Sequence, residues 1–267
     1  MKLYKLKKFN KDDYIFFPSV ILLLVFLIMI QINIWSGDYR YSNLKDLKEE
    51  FKEISDQFGM DWKLFDMNVN TPAVIMVSKF DHCLVDLLYR RRIGTLKMDI
   101  AAVISNHDTT REIVNRENIP FHHIPVTSDT KQDAEDKTRK IIADTGAELI
   151  ILARYMQILS TDMANSYPGQ IINIHHSFLP SFKGAEPYSQ AFHRGVKMIG
   201  ATAHYVTPNL DEGPIIAQQV VPVRHDMSVE DMIGAGQEIE QSVMAKAIRA
   251  HTEQRILLNE GKTVVFD

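Results

Sequence analysis

The sequence predicts an α/β fold with a mostly parallel sheet, a hairpin near the carboxyl terminus and a long closing helix. From Ala73 onward, short apolar runs typical of buried strands alternate with helical patterns, and this alternation favours parallel strands. Two strand-like runs within Ile199–Gln218 flank turn-forming residues, which indicates a hairpin. The run Ser228–Leu258 opens with a serine cap and acidic residues, as expected for one long helix.

The composition of the chain excludes several classes of function. With 267 residues, of which 45% are hydrophobic, the chain has room for one large domain or two smaller ones around a substantial core. Its formal net charge is -4 and its basic residues are dispersed, so no nucleic-acid partner is expected. The single cysteine, Cys83, excludes an internal disulfide framework and offers no thiolate cluster for zinc. The catalytic part is therefore expected to be metal-free and cytoplasmic.

Residues 1–35 form an apolar amino-terminal segment that does not fit the α/β pattern. Lysines precede an apolar block, Tyr14–Trp35, as in a signal anchor, and a helix of about 20 residues can span a bilayer. The apolar block is only marginally long enough to span, because it is interrupted by Pro18, Ser19, Gln31 and Asn33. A membrane anchor, an altered half of a regulatory module and a misassigned start all remain open. Only residues 14–35 offer a possible membrane contact.

Residues 36–71 are predicted to form a small α+β segment. An amphipathic helix is expected over Asn43–Phe58, with Asn43 as its cap, and a strand over Trp62–Val69. Thr71 and Pro72 mark the boundary to a domain of residues 72–267.

Residues 72–267 contain the regular alternation of strands and helices. Its strands are predicted over Ala73–Ser78, Met98–Ser105, Phe121–Val126 and Glu148–Arg154, with another that begins at Ile171. Its helices are predicted over Cys83–Arg91, Thr110–Glu117 and Lys131–Thr145, with a short helix capped by Ser160 and a last strand over Thr263–Phe266.

The strand that begins at Ile171 carries candidate catalytic residues. Successive side chains of a strand point to opposite faces, so Asn173 and His175 project to one side and His176 to the other. Open α/β sheets bind ligands at the carboxyl ends of their strands. An amide beside an imidazole can hold a carbonyl oxygen and transfer a proton. Surface asparagine and histidine are also ordinary loop residues, so these residues alone leave catalysis open.

Three longer motifs resemble a known family. NIHHSFLPSFKGA begins at Asn173, GATAHYV at Gly200 and LDEGPI at Leu210. Together they are similar to the formyltetrahydrofolate deformylases, which belong to the superfamily of N10-formyl-folate-dependent formyltransferases. The resemblance extends over Asn43–Asp267 without an obvious break.

The resemblance implies a Rossmann-like formyltransferase fold preceded by a partial ACT-like segment, since only the second half of that βαββαβ regulatory module is recognisable. It implies hydrolysis of 10-formyltetrahydrofolate to formate and tetrahydrofolate, which supplies formate for purine synthesis and balances the one-carbon folate pools. No cofactor beyond this folate substrate and no metal is implied. A homo-oligomer is expected.

The resemblance implies that Asn173 and His175 are the catalytic pair and that Asp211 is the third catalytic residue. A carboxylate near an imidazole favours the charged imidazolium, and it could also hold or deprotonate the attacking water. The alternative for Asp211 is an ordinary turn residue before Glu212 and Gly213.

The remaining site residues surround this set. The segment of Tyr155, Met156, Gln157, Ile158 and Leu159 matches the one that receives the pterin ring in the family, although strand-end core residues would look similar. Asn209 and Leu210 on the hairpin tip are also expected to contact substrate. His204, His176 and Ser177 are expected to support the site, with a satisfied core histidine as the alternative for His204. Asn106, His107 and Asp108 match a deformylase pattern without a derivable role.

The loop after the first predicted strand indicates which molecule accepts the formyl group. Transfer to glycinamide ribonucleotide needs a glycine-rich phosphate loop there. Ser78–Leu87 contains no glycine and places Asp81 where an anion would lie. A transfer-RNA acceptor would require a basic surface and an additional carboxyl-terminal barrel. Water is left as the expected acceptor, with formyl transfer to an amine and a non-catalytic folate-binding regulator as alternatives.

Overall fold

The computed structural model describes residues 44–59, 62–179 and 187–266. The chain divides into two compact units, Met1–Asn68 and Val69–Asp267. The apolar block Tyr14–Trp35 and the cap predicted at Asn43 lie outside the described residues. Within the described part of the chain, no helix is both long and apolar enough to cross a membrane.

The described part of the first unit contains helix α1, Leu44–Gln57. The ring of Phe51 packs edge to face on that of Trp62 at 4.9 Å between centroids. The strand predicted over Trp62–Val69 is wrong, because only Leu64 forms an isolated bridge. Asp66 accepts a hydrogen bond from the Asn68 backbone N–H at 2.9 Å. This bond forms a local turn, which interrupts the extended segment. The assignment of residues 36–71 to a partial ACT-like module stays a prediction.

The second unit is built on a seven-stranded sheet of order β3-β2-β1-β4-β5-β6-β7. The strands are β1 Thr71–Val77, β2 Met98–Ser105, β3 Phe121–His123, β4 Leu149–Ala153, β5 Ile171–His175, β6 Met198–Tyr205 and β7 Ile215–Pro222. The helices are α2 His82–Arg92, α3 Arg111–Arg116, α4 Lys131–Thr145, α5 Thr161–Ser166, α6 Pro187–Arg194 and α7 Val229–Thr252. The first five strands in this list run parallel, and β6 and β7 are antiparallel to their neighbours, which confirms the predicted α/β class.

Both faces of the central strands are covered, which explains their continuous apolar sequences. On one face, Ile75 of β1 and Ile174 of β5 pack with Leu84 of α2 and Met244 of α7. On the other face, residues from β1, β4 and β5 pack against α4 and α5, and they include Val74, Leu152, Ile171, Ala134 and Met163. The helices that connect the strands therefore cover both faces of the sheet. The strand order reverses between β1 and β4, and open α/β sheets bind ligands at such a point.

The carboxyl-terminal end differs from its prediction. The long helix ends at Thr252 and not at Leu258, and a small hairpin follows, with β8 Ile256–Asn259 paired to β9 Lys262–Val265. The hairpin turn consists of Glu260 and Gly261, both with positive φ (48° and 77°). Two such residues match the twist of paired strands. The helix itself ends because Gln254 takes a left-handed backbone, with φ of 55°, and the Arg255 N–H donates to the Ala250 carbonyl at 2.8 Å, as in a Schellman motif. Helix α6 was not predicted.

We expect Ser228→Ala to destabilise the long helix. The Ser228 side chain accepts a hydrogen bond from the Asp231 N–H at 3.1 Å, and the Asp231 carboxylate accepts one from the Ser228 N–H at 2.8 Å. Loss of such a cap costs about 1 kcal/mol. Urea unfolding should show a lower midpoint. Ser242→Ala, on the exposed face of the same helix, is the matched control. It removes only a long, exposed hydrogen bond of 3.4 Å to Gln219 and introduces a better helix former, so the midpoint should not fall. Equal midpoints for the two variants would contradict this role of the cap.

Candidate active site

Strand register brings the predicted catalytic residues together. In the antiparallel pairing of β5 and β6, Asn173 lies opposite His204 and His175 lies opposite Thr202. The buried isoleucines of β5 fix which residues face which side, because side chains alternate along the strand. Asn173, His175 and His204 therefore share one face of the sheet.

The turn between β6 and β7 supplies the carboxylate. Asp211 adopts a left-handed backbone with φ of 57°. Gly213 passes so close to the strand that a Cβ there would lie 1.7 Å from the carbonyl oxygen of Tyr205, so only glycine fits. This turn holds Asp211 Oδ1 3.4 Å from His175 Nδ1 and 3.8 Å from His204 Nε2.

Asp211 is partly enclosed, with 29% of its side chain exposed. Its pKa lies below the ordinary aspartate value, chiefly because His175 donates a hydrogen bond to it, which outweighs the effect of burial. The carboxylate is therefore ionised at neutral pH. Since the pKa is lower in the folded than in the unfolded state, this contribution to stability is present above about pH 4 and is lost as pH falls through the folded-state value.

His204 is buried and its ring has one defined tautomer. Its Nδ1 lies 2.9 Å from the carbonyl oxygen of Tyr205, which can only accept, so Nδ1 donates. Burial lowers its pKa, so the ring stays neutral and Nε2 accepts from Asn173 Nδ2 at 3.2 Å. His204 is thus a satisfied buried histidine that also fixes the orientation of the Asn173 amide.

The predicted folate-binding segment follows β4. Met156 and Ile158 are 52% and 60% exposed, an unusual degree for apolar side chains, and Leu210 on the hairpin tip is 59% exposed. A small cavity in this region, with room for about one water molecule, is lined by residues of the segment and of α4, including Tyr155, Gln157, Leu159, Glu135 and Thr138. Burial raises the pKa of Tyr155 to about 12, so its hydroxyl remains protonated. Apolar surface with a few polar groups is typical of a site for a flat ring.

Asn106 connects two loops at this edge of the sheet. The Ser78 hydroxyl donates to Asn106 Oδ1 at 2.6 Å and accepts from the Met156 N–H at 2.9 Å. Asn106 therefore holds Ser78, which in turn holds the start of the predicted folate segment. The neighbouring Asp108 instead forms a surface ion pair with Arg111 at 2.6 Å. His107 donates its backbone N–H to Ser105 Oγ at 3.1 Å.

The loop after β5 is tied to the next strand through Thr202. Its hydroxyl donates to the Ser177 carbonyl at 3.0 Å and accepts from the Leu179 N–H at 3.1 Å. This bond gives Ser177 a structural contact beside the site. Residues 180–185, the rest of the NIHHSFLPSFKGA motif, lie outside the described part of the chain.

Sequence reasoning missed a buried polar cluster next to His176. Glu240 of α7 is 1% exposed and accepts hydrogen bonds from His82 at 2.8 Å and from the Tyr188 hydroxyl at 3.0 Å. Although burial opposes it, the hydrogen bond from His82 and the charge of Arg154 hold the pKa of Glu240 below its usual range. The available signal was a glutamate within the buried stripe of a helix, beside Ile239 and Val243.

The same cluster contains three metal-ligand types, His82, Cys83 and Glu240, with ligand atoms within 4.8 Å of one another. Hydrogen bonds already engage the Glu240 carboxylate, and Arg154 Nε lies 3.3 Å from it. Burial raises the pKa of the Cys83 thiol well above its usual value, so the sulfur is not a ready ligand. This donor set serves internal pairing and does not fit a cation.

Known proteins resemble this chain in sequence. A family model described as formyl transferase matches residues 72–248. A formyltetrahydrofolate deformylase from Corynebacterium sp. (strain P-1) is 51% identical over 87% of this chain and 81% of its own length. One from Bacillus subtilis (strain 168) is 45% identical over 83% of this chain and 74% of its own.

Solved structures agree with these relatives. The crystal structure of a formyltetrahydrofolate deformylase from Pseudomonas syringae pv. tomato has a TM-score of 0.81 and 48% identity, over 84% of this chain and 76% of that one. Glycinamide ribonucleotide transformylase 1 from Symbiobacterium toebii is more distant, with a TM-score of 0.70 and 29% identity over 77% of this chain and 98% of its own. The chain therefore belongs to the formyl transferase family, and within it to the formyltetrahydrofolate deformylases.

Proposed function

We infer that the chain hydrolyses 10-formyltetrahydrofolate to formate and tetrahydrofolate. The observation that carries this function is the ionised Asp211 carboxylate 3.4 Å from His175 Nδ1, beside Asn173, in a chain 51% identical to a deformylase. The product formate would supply purine synthesis, and the reaction would balance the one-carbon folate pools.

The formyl group on N10 is amide-like, so attack by water gives a tetrahedral intermediate with a negatively charged oxygen. Stabilisation of that charge is usually the largest catalytic contribution. In our proposal the Asn173 amide and His175 donate to this oxygen, while Asp211 holds the water and accepts its proton. The bond between carbon and N10 then breaks, N10 receives the proton that Asp211 took from water, and the product formic acid releases its remaining proton to solvent as formate. The Asn173 amide needs no reorientation, because His204 already holds it.

We propose that the folate ring binds against the segment from Tyr155 to Leu159, with Asn209 and Leu210 closing from the hairpin tip. Exposed Met156, Ile158 and Leu210 supply apolar contact area. Backbone groups of an ordered loop can meet the polar edge of the pterin. Ser78 and Asn106 support this loop through the hydrogen bonds described above.

Water is the proposed acceptor because the loop after β1 offers no phosphate cradle. The loop has no glycine, and Asp81 stands immediately before α2. The Ser78 hydroxyl is already bonded to Asn106. A phosphate there would meet a carboxylate instead of free donors. Formyl transfer to an amine and a non-catalytic folate-binding role remain the alternative functions.

The reaction is proposed to need no metal and no cofactor beyond the folate, since an amide, an imidazole and a carboxylate supply every proton and charge that hydrolysis requires. We propose a cytoplasmic enzyme that assembles as a homo-oligomer.

The function is tested by incubating the purified chain with 10-formyltetrahydrofolate alone. We expect formate and tetrahydrofolate in equal amounts, and no increase in rate on addition of glycinamide ribonucleotide. Turnover that depends on the ribonucleotide, with formyl recovered on its amine, would establish a transferase. Folate binding without turnover would establish the regulator.

We expect Asp211→Asn to keep folate binding and to lower turnover by on the order of a hundredfold, the range for loss of a positioned acid or base. The amide has nearly the same size but cannot accept a proton from water. The matched control is Glu212→Gln, the same change on the adjacent exposed residue, which should retain turnover. Unchanged turnover in the Asp211 variant would remove this residue from the mechanism.

A further inference from the structure

Arg154, at the end of β4, combines two costly features. Its backbone is left-handed, with φ of 62°, although its side chain is not glycine. The residue is only 9% exposed. Its buried Nε lies 3.3 Å from Glu240 Oε2, but among the described residues it makes no hydrogen bond. Strained backbone and buried unpaired groups concentrate at functional sites, so this position calls for a functional explanation.

The guanidinium of Arg154 fixes the tautomer of His176. Arg154 Nη1 lies 2.5 Å from His176 Nδ1. A guanidinium has only donors, so His176 Nδ1 must accept, and the single proton of the neutral ring must sit on Nε2. The opposite tautomer, or a doubly protonated ring, would place two N–H groups against each other.

Charge around His176 reinforces that state. Four groups face it: Arg154 from β4, the adjacent His175 of β5, Glu240 of α7 and Asp211 of the hairpin turn. Burial and then the positive charge of Arg154 lower the pKa of His176 to about 4, although the two carboxylates raise it. His176 is therefore neutral throughout the neutral pH range.

His176 lies directly against the proposed catalytic histidine. The two rings stack with centroids 5.1 Å apart and planes 16° from parallel. Two imidazolium charges at that distance would repel each other, so a proton on one ring disfavours a proton on the other. Which ring carries the charge depends on their different surroundings, a guanidinium beside His176 and a carboxylate beside His175.

We propose that Arg154 is a positioning residue that directs the active-site proton to His175, by holding the stacked His176 as a neutral ring protonated on Nε2. Glu240 anchors Arg154 from α7, and the ring of Phe80 lies 5.4 Å from the guanidinium. The role of His175 in this inference rests on the proposed hydrolase. The state of His176 does not, and it can be measured without turnover.

The first test uses the unmodified chain labelled with ¹⁵N-histidine. Nitrogen NMR distinguishes protonated from unprotonated ring nitrogens, and comparison with His176→Gln assigns the signals. We expect His176 to show an unprotonated Nδ1 and a protonated Nε2 at every pH from about 7.5 to 5.5, as follows from a neutral ring whose Nδ1 accepts. A proton on Nδ1, or a charged ring at pH 6.5, would overturn the proposal whether or not the chain is a hydrolase.

The second test is the pH profile of kcat in Arg154→Met and Arg154→Lys. Loss of the positive charge removes one cause of the lowered pKa of His176 but leaves burial, so His176 should take a proton at a higher pH than in wild type, still below its ordinary value of about 6.5. That proton would oppose the charge on His175. We expect the ratio of kcat at pH 8 to kcat at pH 5 to be at least about twofold larger in the Met variant than in wild type, with partial rescue by Lys and KM unchanged. The control Arg255→Met removes another mostly buried arginine, whose partners are Glu253 and Phe266, and should keep the wild-type profile.

A double variant separates direct from indirect action. If Arg154 acts through His176, then Arg154→Met should not alter the pH profile further in a His176→Gln background. A loss of kcat by the same factor at every pH in Arg154→Met would indicate a structural role alone and would overturn the proposal. If that variant does not fold, the NMR measurement on the unmodified chain decides.

Discussion

The contact between Asp211 and His175 is the interaction on which the rest of the site depends. The carboxylate must come within 3.4 Å of the imidazole while the chain reverses direction. That requires a left-handed aspartate and a glycine pressed against the preceding strand, at Gly213. The strain at this turn is compensated by β6 and β7, whose pairing is continuous apart from one irregularity near His204. The carboxylate thus sits on a rigid hairpin, although it belongs to a loop.

The change from parallel to antiparallel pairing at β5 explains where the site lies. The parallel half of the sheet ends in loops after β1, β2 and β4, which Ser78 and Asn106 hold together. The antiparallel half delivers His204 and Asp211 beside β5. Asn173 and His175 lie on the strand shared by both halves, so they can act on a group presented by the loops of one half with help from the other.

The sequence predicted what depends on local pattern. Alternation placed β5 with Asn173 and His175 on one side, and the turn residues after Val206 located the hairpin. It did not predict that Asn173 and His204 share a hydrogen bond or that Arg154 meets Glu240, because such contacts depend on strand register and helix docking between distant segments. The strand expected over Trp62–Val69 was wrong because a local turn at Asp66 interrupts it. The helical end expected at Leu258 was wrong because Gln254 takes a left-handed backbone and ends the helix first.

The most direct test of this mechanism is the ionisation of the Asp211 carboxyl group in the folded protein. Carbon-13 NMR of aspartate-labelled chain, with the signal assigned by the Asp211→Asn variant, follows that group as pH is lowered. We expect a carboxylate that remains ionised to below about pH 3.9, the ordinary aspartate value, because His175 donates to it. A carboxyl group that takes up its proton above about pH 5 would contradict this account, since burial and not the hydrogen bond from His175 would then dominate its pKa.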